Sequence, residues 1–305
     1  MSEPTATGMP RFDLQSHSTR SDGALEPAAV VAAAAQAGVQ LLALTDHDTL
    51  AGVAEAQRAG AEHGVTVVPA IEISAIDDGG ESGTARELHI LGYLVDHTDP
   101  NFTATLAGFL ADREQRTLRM AENLQGLGIQ LDQRAIDARV SAGEPIGRPH
   151  LAEAALGHPA NAQRLAQESI DDIGSFIRAY LIEGRPAFCL RITPTVAEAI
   201  DAIHAAGGVA IWAHPFWDVS DPEEVLVTID RFRALGIDGV EAFYVTHTRE
   251  QTELLARRCE ELAILSTGSA DFHGPENRLF SRFLAFDTHG LQPNLGPIAT
   301  LAQTP

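Results

Sequence analysis

Apolar positions along the chain follow two alternating rhythms. The run 41–45 (Leu-Leu-Ala-Leu-Thr) is continuously apolar, as expected of a strand buried on both faces, and the segments around it carry helical spacing. Residues 11–14 read as a short strand. Pro27 opens an alanine-rich helix to about residue 37, closed by Gly38. A helix over about 50–63 ends at Gly64, and strands follow at 66–74 and 89–95. The polar, glycine-rich stretch 77–87 between those strands predicts a loop.

The rhythm then changes. From about 101 to 183 the chain reads as mostly helical, with one long helix at 101–126 and shorter ones from Leu151 and from Ser169. Alternation resumes with helix 196–206, strand 209–212, helix 223–235, strand 239–243, helix 249–262 and strand 263–266. Repeated strand–helix units predict an α/β fold with a parallel barrel or doubly wound sheet, split by a helical insertion. The expected division is a discontinuous barrel at 11–98 and 187–290, a helical subdomain at 99–186, and tails at 1–10 and 291–305.

Composition narrows the function classes. Against 42 acidic residues stand 21 basic ones, a formal net charge of −21. Such a field repels polyanions, so no long nucleic acid is expected as partner. Cys189 and Cys259 are too few for a disulfide framework and lack metal-binding spacing. No apolar run approaches the ~20 residues of a membrane span. The first ten residues lack the basic and apolar regions of a signal peptide, so a cytoplasmic protein is expected.

The candidate chemistry lies where the predicted strands end. His17 follows the first strand, Asp46-His47-Asp48 the second, and Glu72 stands late in the third. His89 belongs to the fourth, His214 follows 209–212, and Asp271 and His273 follow 263–266. In a (β/α) barrel the C-terminal strand ends converge on one mouth. A single histidine there is most often structural, but five with several carboxylates at one level argue for a metal cluster. Gln15 and His17, two apart on a strand, project to the same side, as do Asp271 and His273. Glu72 sits inside the apolar Pro-Ala-Ile-Glu-Ile-Ser of residues 69–74, where an unpartnered acid is costly. Nitrogen and oxygen donors without thiolate suit Mn²⁺, Fe²⁺ or Zn²⁺.

Six segments carry a resemblance: Phe-Asp-Leu-Gln-Ser-His-Ser-Thr-Arg-Ser-Asp-Gly at 12–23, Thr-Asp-His-Asp at 45–48, Glu-Ile-Ser at 72–74, His-Ile-Leu-Gly-Tyr at 89–93, Ala-His-Pro at 213–215 and Gly-Ser-Ala-Asp-Phe-His-Gly at 268–274. In this order they resemble the motifs of the PHP (polymerase and histidinol phosphatase) superfamily, and most closely its stand-alone nucleotide phosphoesterases. The resemblance implies a distorted (β/α)7 barrel with a helical insertion and two or three divalent metal ions, Mn foremost. The first metal would use Gln15, His17, Glu72 and Asp271, the second Glu72, His89 and His214, and the third Asp22, His47 and His273. Gln15 departs from the family's histidine: either its amide oxygen touches the metal or it stands back and water takes the place.

With metal-activated water as nucleophile, no Ser, Cys or His nucleophile is required. Arg148 and Arg185, each between glycine and proline, are candidates for bidentate phosphate contact, with His150 assisting Arg148. His247 is a candidate to touch phosphate or protonate a leaving oxygen. Phe216 and Trp217, just after His214, are candidates to border a base pocket, with core or lid packing as the alternative. His63, His97, His158 and His204 read as surface residues without partners. The expected function is a metal-dependent phosphoesterase acting on small phosphorylated nucleotides, such as nucleoside 3′,5′-bisphosphates or mononucleotides. A 5′→3′ exonuclease on short oligonucleotides and a catalytically silent module of the same fold are the alternatives.

Overall fold

The computed structural model describes residues 11–80, 85–141, 146–190 and 194–301. Seven strands form one sheet in the order of the chain. They are β1 (Phe12–Asp13), β2 (Leu41–Leu44), β3 (Thr66–Asp77), β4 (Arg86–Tyr93), β5 (Val209–Trp212), β6 (Gly239–Tyr244) and β7 (Leu265–Ser269). Pairing is parallel from β1 to β3 and from β5 to β7. The sheet curls until its edges meet: the Leu14 amide donates to the Gly268 carbonyl at 3.2 Å, and Ser16 bridges Phe272 in parallel. The result is a nearly closed α/β barrel.

One strand corrects the expectation of an all-parallel barrel. β4 runs antiparallel to β5, pairing Ile90 with Trp212 and Tyr93 with Val209. A reversed strand needs no helical crossover, and the link from β3 to β4 is accordingly short. β3 also runs on to Asp77 and β4 begins at Arg86, so strand occupies both ends of the predicted 77–87 loop. The last strand starts later than expected, because Ala263 adopts φ 53° as the left-handed cap of the preceding helix.

Along the chain the helices are α1 (Pro27–Ala37) and α2 (Val53–His63), then α3 (Pro100–Gly126), α4 (Gln133–Ser141), α5 (Arg148–Leu156), α6 (Ala162–Gln167) and α7 (Ile173–Tyr180). The return carries α8 (Val196–Ala205), α9 (Pro215–Asp218), α10 (Pro222–Ala234), α11 (Arg249–Leu262) and α12 (Ile298–Leu301). Gly38 and Gly64 close α1 and α2 at φ 83° and 70°, conformations that favour glycine.

The chain divides into two compact units, one containing residues up to Ser74, Leu88–Thr103 and Val196 onward, the other Ala75–Glu87 and Ala104–Thr195. In the barrel unit, Leu14, Leu41, Ala43, Val68, Leu91, Tyr93 and Ile211 pack the interior. Leu295 and Ile298, in the expected C-terminal tail, are buried in this same cluster, and Asn294 bridges Ser266. The helical unit has a core of its own around Met120, Leu124, Ile129, Leu151, Phe176 and Leu181. Among the described residues no helix is long and apolar enough to cross a membrane.

Candidate metal centre

All nine residues singled out as ligands gather at one end of the barrel, around the buried Glu72 of β3. Three convergences are resolved. His17 Nε2 lies 3.0 Å from Glu72 Oε2 and 3.1 Å from Asp271 Oδ1. His89 Nδ1 and His214 Nε2 lie 2.7 and 3.3 Å from Glu72 Oε1. His47 Nε2 and His273 Nε2 approach the two oxygens of Asp22 at 3.7 and 3.6 Å. The imidazoles form an arc, with ring centroids 4.3 Å apart for His273 and His17, 4.7 Å for His17 and His47, 4.9 Å for His47 and His89, and 5.2 Å for His89 and His214. His89 reaches the site from the first half of the reversed β4 and Glu72 from within β3, whereas the other positions follow parallel strands.

Short turns aim these side chains. Asp48, His214 and Asp271 have φ of 57°, 29° and 54°, uncommon for residues with a Cβ and characteristic of sites held by their surroundings. The surroundings are acids that the sequence reading left without a role. Asp46 accepts from the Ser18 amide and hydroxyl and the Ser21 hydroxyl, at 2.6 to 2.7 Å, fixing the loop that carries His17 and Asp22. Asp48 accepts from the Ser74 amide at 3.0 Å and donates its own amide to the Glu72 carbonyl at 2.8 Å. Asp13 accepts from the Ala270 amide, next to Asp271, at 2.9 Å. Glu241 accepts from the His214 amide at 3.0 Å and the Ser269 hydroxyl at 2.6 Å. The Tyr244 hydroxyl donates to Asp271 Oδ2 at 2.8 Å. Glu241 carried the same signal as Glu72, an acid alone in an apolar strand.

The donor set fits divalent cations. Among the described residues, His17 Nε2, His47 Nδ1, His214 Nδ1 and Asp271 Oδ1 are buried without a hydrogen-bond partner, a costly state unless a further group engages them. Two ligand groups have donor atoms within 4.8 Å of one another: His17, Asp22, His47 and His273, and His47, Glu72 and His89. Burial drives His47 down to about 3 despite Glu72 and Asp22, which leaves it neutral, the form that binds metals. Burial opposes the charge on His214 as well, but Glu72 and Asp218 outweigh it and raise it to about 9. Burial also works to raise Glu72, yet the imidazoles of His47 and His89 hold it well below the usual carboxylate range.

Gln15 reaches the same place with the other end of its amide. Its Nε2 donates to Glu72 Oε2 at 2.9 Å, and its Oε1 accepts from the Ser269 hydroxyl at 3.4 Å. In this arrangement it holds Glu72 and offers no ligand atom. His247 lies beside the site, 5.4 Å from the Tyr244 ring and 5.6 Å from Phe216. Its Nδ1 faces the Ala242 carbonyl at 3.1 Å, so that nitrogen carries the proton, and burial lowers its pKa to about 4. At neutral pH it is therefore uncharged, which disfavours the expected role as a proton donor.

Arg148, His150 and Arg185 belong to the helical unit. Arg148 opens α5 with Nη1 3.4 Å from Glu87 Oε2, while His150 Nδ1 accepts from the Gly147 amide at 3.1 Å and caps the same helix. Arg185 is exposed. Arg116, not anticipated, is buried and grips both oxygens of Glu87 at 2.9 and 2.7 Å. Two of the supposedly unpartnered histidines are corrected. His204 Nε2 pairs with Asp238 at 2.8 Å, and His158 Nδ1 accepts from the Ala160 amide at 3.3 Å. Both partners are local to a helix end or strand start and follow no sequence periodicity.

The chain is similar to known proteins along most of its length. A 5′-3′ exoribonuclease of Haemophilus influenzae is 36% identical over 87% of this chain and 90% of its own length. A 3′,5′-nucleoside bisphosphate phosphatase of Chromobacterium violaceum is 30% identical over 88% of each chain. The solved structure of an amidohydrolase from Chromobacterium violaceum, with bound sulfate and no metal, superimposes with a TM-score of 0.76 at 27% identity, covering 94% of this chain and 93% of that one. The family model of the PHP domain matches residues 13–184, more than half of the sequence, and the chain belongs to the PHP domain family.

Proposed function

We propose that this PHP-family phosphoesterase hydrolyses phosphate monoesters of small nucleotides, nucleoside 3′,5′-bisphosphates or mononucleotides, with Mn²⁺ as its metal. The observation that carries the reading is the set of three convergences around Glu72 and Asp22, built from nitrogen and carboxylate donors alone. His17, Glu72 and Asp271 would hold one ion, Glu72, His89 and His214 a second, and Asp22, His47 and His273 a third. Divalent ions held there supply Lewis acidity to phosphoryl oxygens and lower the pKa of water, the main demand of so slow a hydrolysis. The protein's own part is to keep these donors fixed in place. Glu241 does so through the His214 backbone, Asp13 through that of Ala270, and Tyr244 through Asp271 itself. Arg148, held against Glu87, and the exposed Arg185 are the proposed phosphate contacts, with His150 fixing the helix start that presents Arg148.

The likeness to the Haemophilus influenzae exoribonuclease favours a second reading, 5′→3′ cleavage of short oligonucleotides at the same centre. One experiment tests both. Metal content is measured on purified protein, then Mn²⁺-dependent phosphate or nucleotide release is followed from 3′,5′-bisphosphates, mononucleotides and 5′-phosphorylated short RNA. Turnover of the first two faster than RNA supports the phosphatase, and the reverse order supports the exonuclease. Protein without metal or turnover on any substrate leaves only the silent module.

A further inference from the structure

Beside the metal centre the barrel end carries aromatic surface that none of the described residues covers. Trp217 is 53% exposed and Leu279 54%, in a chain whose other tryptophan, Trp212, is fully buried. Trp217 stands on the single-turn α9 directly after His214, and its amide donates to the His214 carbonyl at 2.8 Å. Its ring meets that of Phe280 at 5.7 Å, and Phe280 in turn lies 5.4 Å from His273 and 6.2 Å from Tyr244. Phe280 is fixed in place: its carbonyl accepts from the His273 amide at 2.9 Å, and Asn277 Oδ1 accepts from the amides of Leu279 and Phe280 at 3.0 Å. The exposed indole is thus tied to two ligand-bearing segments and lies two ring contacts from His273.

We propose that the Trp217 ring, backed by Phe280, is the surface on which the substrate's nucleobase stacks, so that the enzyme selects base-bearing phosphates over bare sugar phosphates. The inference rests on the phosphoesterase reading and adds the group that the site recognises. A base is the flat, uncharged part of a nucleotide, and stacking asks for no charge match. That suits a chain with half as many basic as acidic residues. Every base has a π-face, so the surface selects for a base without choosing which one. Phe280 cannot serve alone, since it is partly buried against His273 and Tyr244 and lends its position to the more exposed ring.

The test compares wild type with Trp217→Ala and Trp217→Phe on AMP, adenosine 3′,5′-bisphosphate and ribose 5-phosphate. Losing a stacking partner is expected to raise KM for the two nucleotides by about tenfold, with kcat within about twofold. The kinetics on ribose 5-phosphate stay unchanged, and Trp217→Phe recovers most of the loss. An equal effect on all three substrates, or none on any, overturns the proposal. Intrinsic fluorescence gives an answer independent of turnover. AMP quenches the wild-type emission while ribose 5-phosphate does not, and the quench disappears in Trp217→Phe, where only the buried Trp212 remains. Absence of an AMP-specific quench overturns the stacking surface even in an active enzyme. Absence of turnover with the quench present overturns the hydrolytic reading instead.

Discussion

Gln15 illustrates how one atom decides a residue's role. Its amide nitrogen donates to Glu72 and its oxygen turns to Ser269, so the first convergence is left with His17, Glu72 and Asp271. An imidazole at this position offers a lone pair in place of a donor. Gln15→His is therefore expected to raise bound metal per chain, measured by elemental analysis after dialysis against limiting Mn²⁺; unchanged content would show the site complete as it stands. Glu241 makes the complementary point about charge. Burial raises its carboxyl to about 8, from 4.5 in the unfolded chain, with His214 only partly opposing. The folded state then binds the proton more tightly than the unfolded state, so metal-free protein loses stability as pH rises from about 4.5 to about 8. Glu241→Gln removes that contribution. In chelator, its melting temperature is predicted to fall less steeply than wild type between pH 5 and 8, and parallel slopes would contradict the burial argument. Asp13, raised by burial to about 7, acts with the same sign and keeps the slope from vanishing.

At the scale of elements, glycine gives two helices opposite responses to one substitution. Alanine in place of glycine in a helix interior gains about 1 kcal/mol from propensity. In α3, Gly108 is exposed and an added Cβ meets nothing within 4 Å, so Gly108→Ala is expected to raise the melting temperature. In α2, a Cβ on Gly60 comes within 2.5 Å of the Val65 carbonyl and 2.7 Å of Val67 Cγ2, where the chain turns into β3. Gly60→Ala is predicted to lower it, and thermal melts of the two variants showing the same sign would refute the packing argument. The same turn explains what was readable beforehand. The helix ended by Gly64 and the apolar strand after it are local patterns, and they matched the structure closely. Strand direction is not local: β4 has the same apolar character whichever way it runs, and only the short, glycine-rich link before it hinted at reversal. The ligands were legible because most of them stand in or just after strands whose apolar pattern the sequence shows. Asp13, Glu241 and Tyr244 were not, because their partners lie 27 to 257 residues away.

For the whole molecule, net charge sets how substrates arrive. With 42 acidic and 21 basic residues, the protein repels an oligonucleotide in proportion to its length and a mononucleotide much less. Salt screens this repulsion, with a Debye length that falls from about 30 Å at 0.01 M to about 8 Å at 0.15 M. A nuclease that tracks phosphates with a cationic groove behaves oppositely, losing affinity steeply as salt releases its counterion advantage. The buried Arg116 of the helical unit does not supply such a groove, since it is bound to Glu87. The kcat/KM for a 5′-phosphorylated decamer is therefore expected to rise between 20 and 150 mM salt at fixed Mn²⁺, while that for AMP changes by less than about twofold. A steep fall for the decamer over the same range would reveal a cationic track, and would move the balance from the phosphatase toward the exonuclease. A rise means that short, base-bearing phosphates meet the smallest barrier on the way to the imidazole arc, and that selection among them falls to the half-exposed aromatic ring beside it.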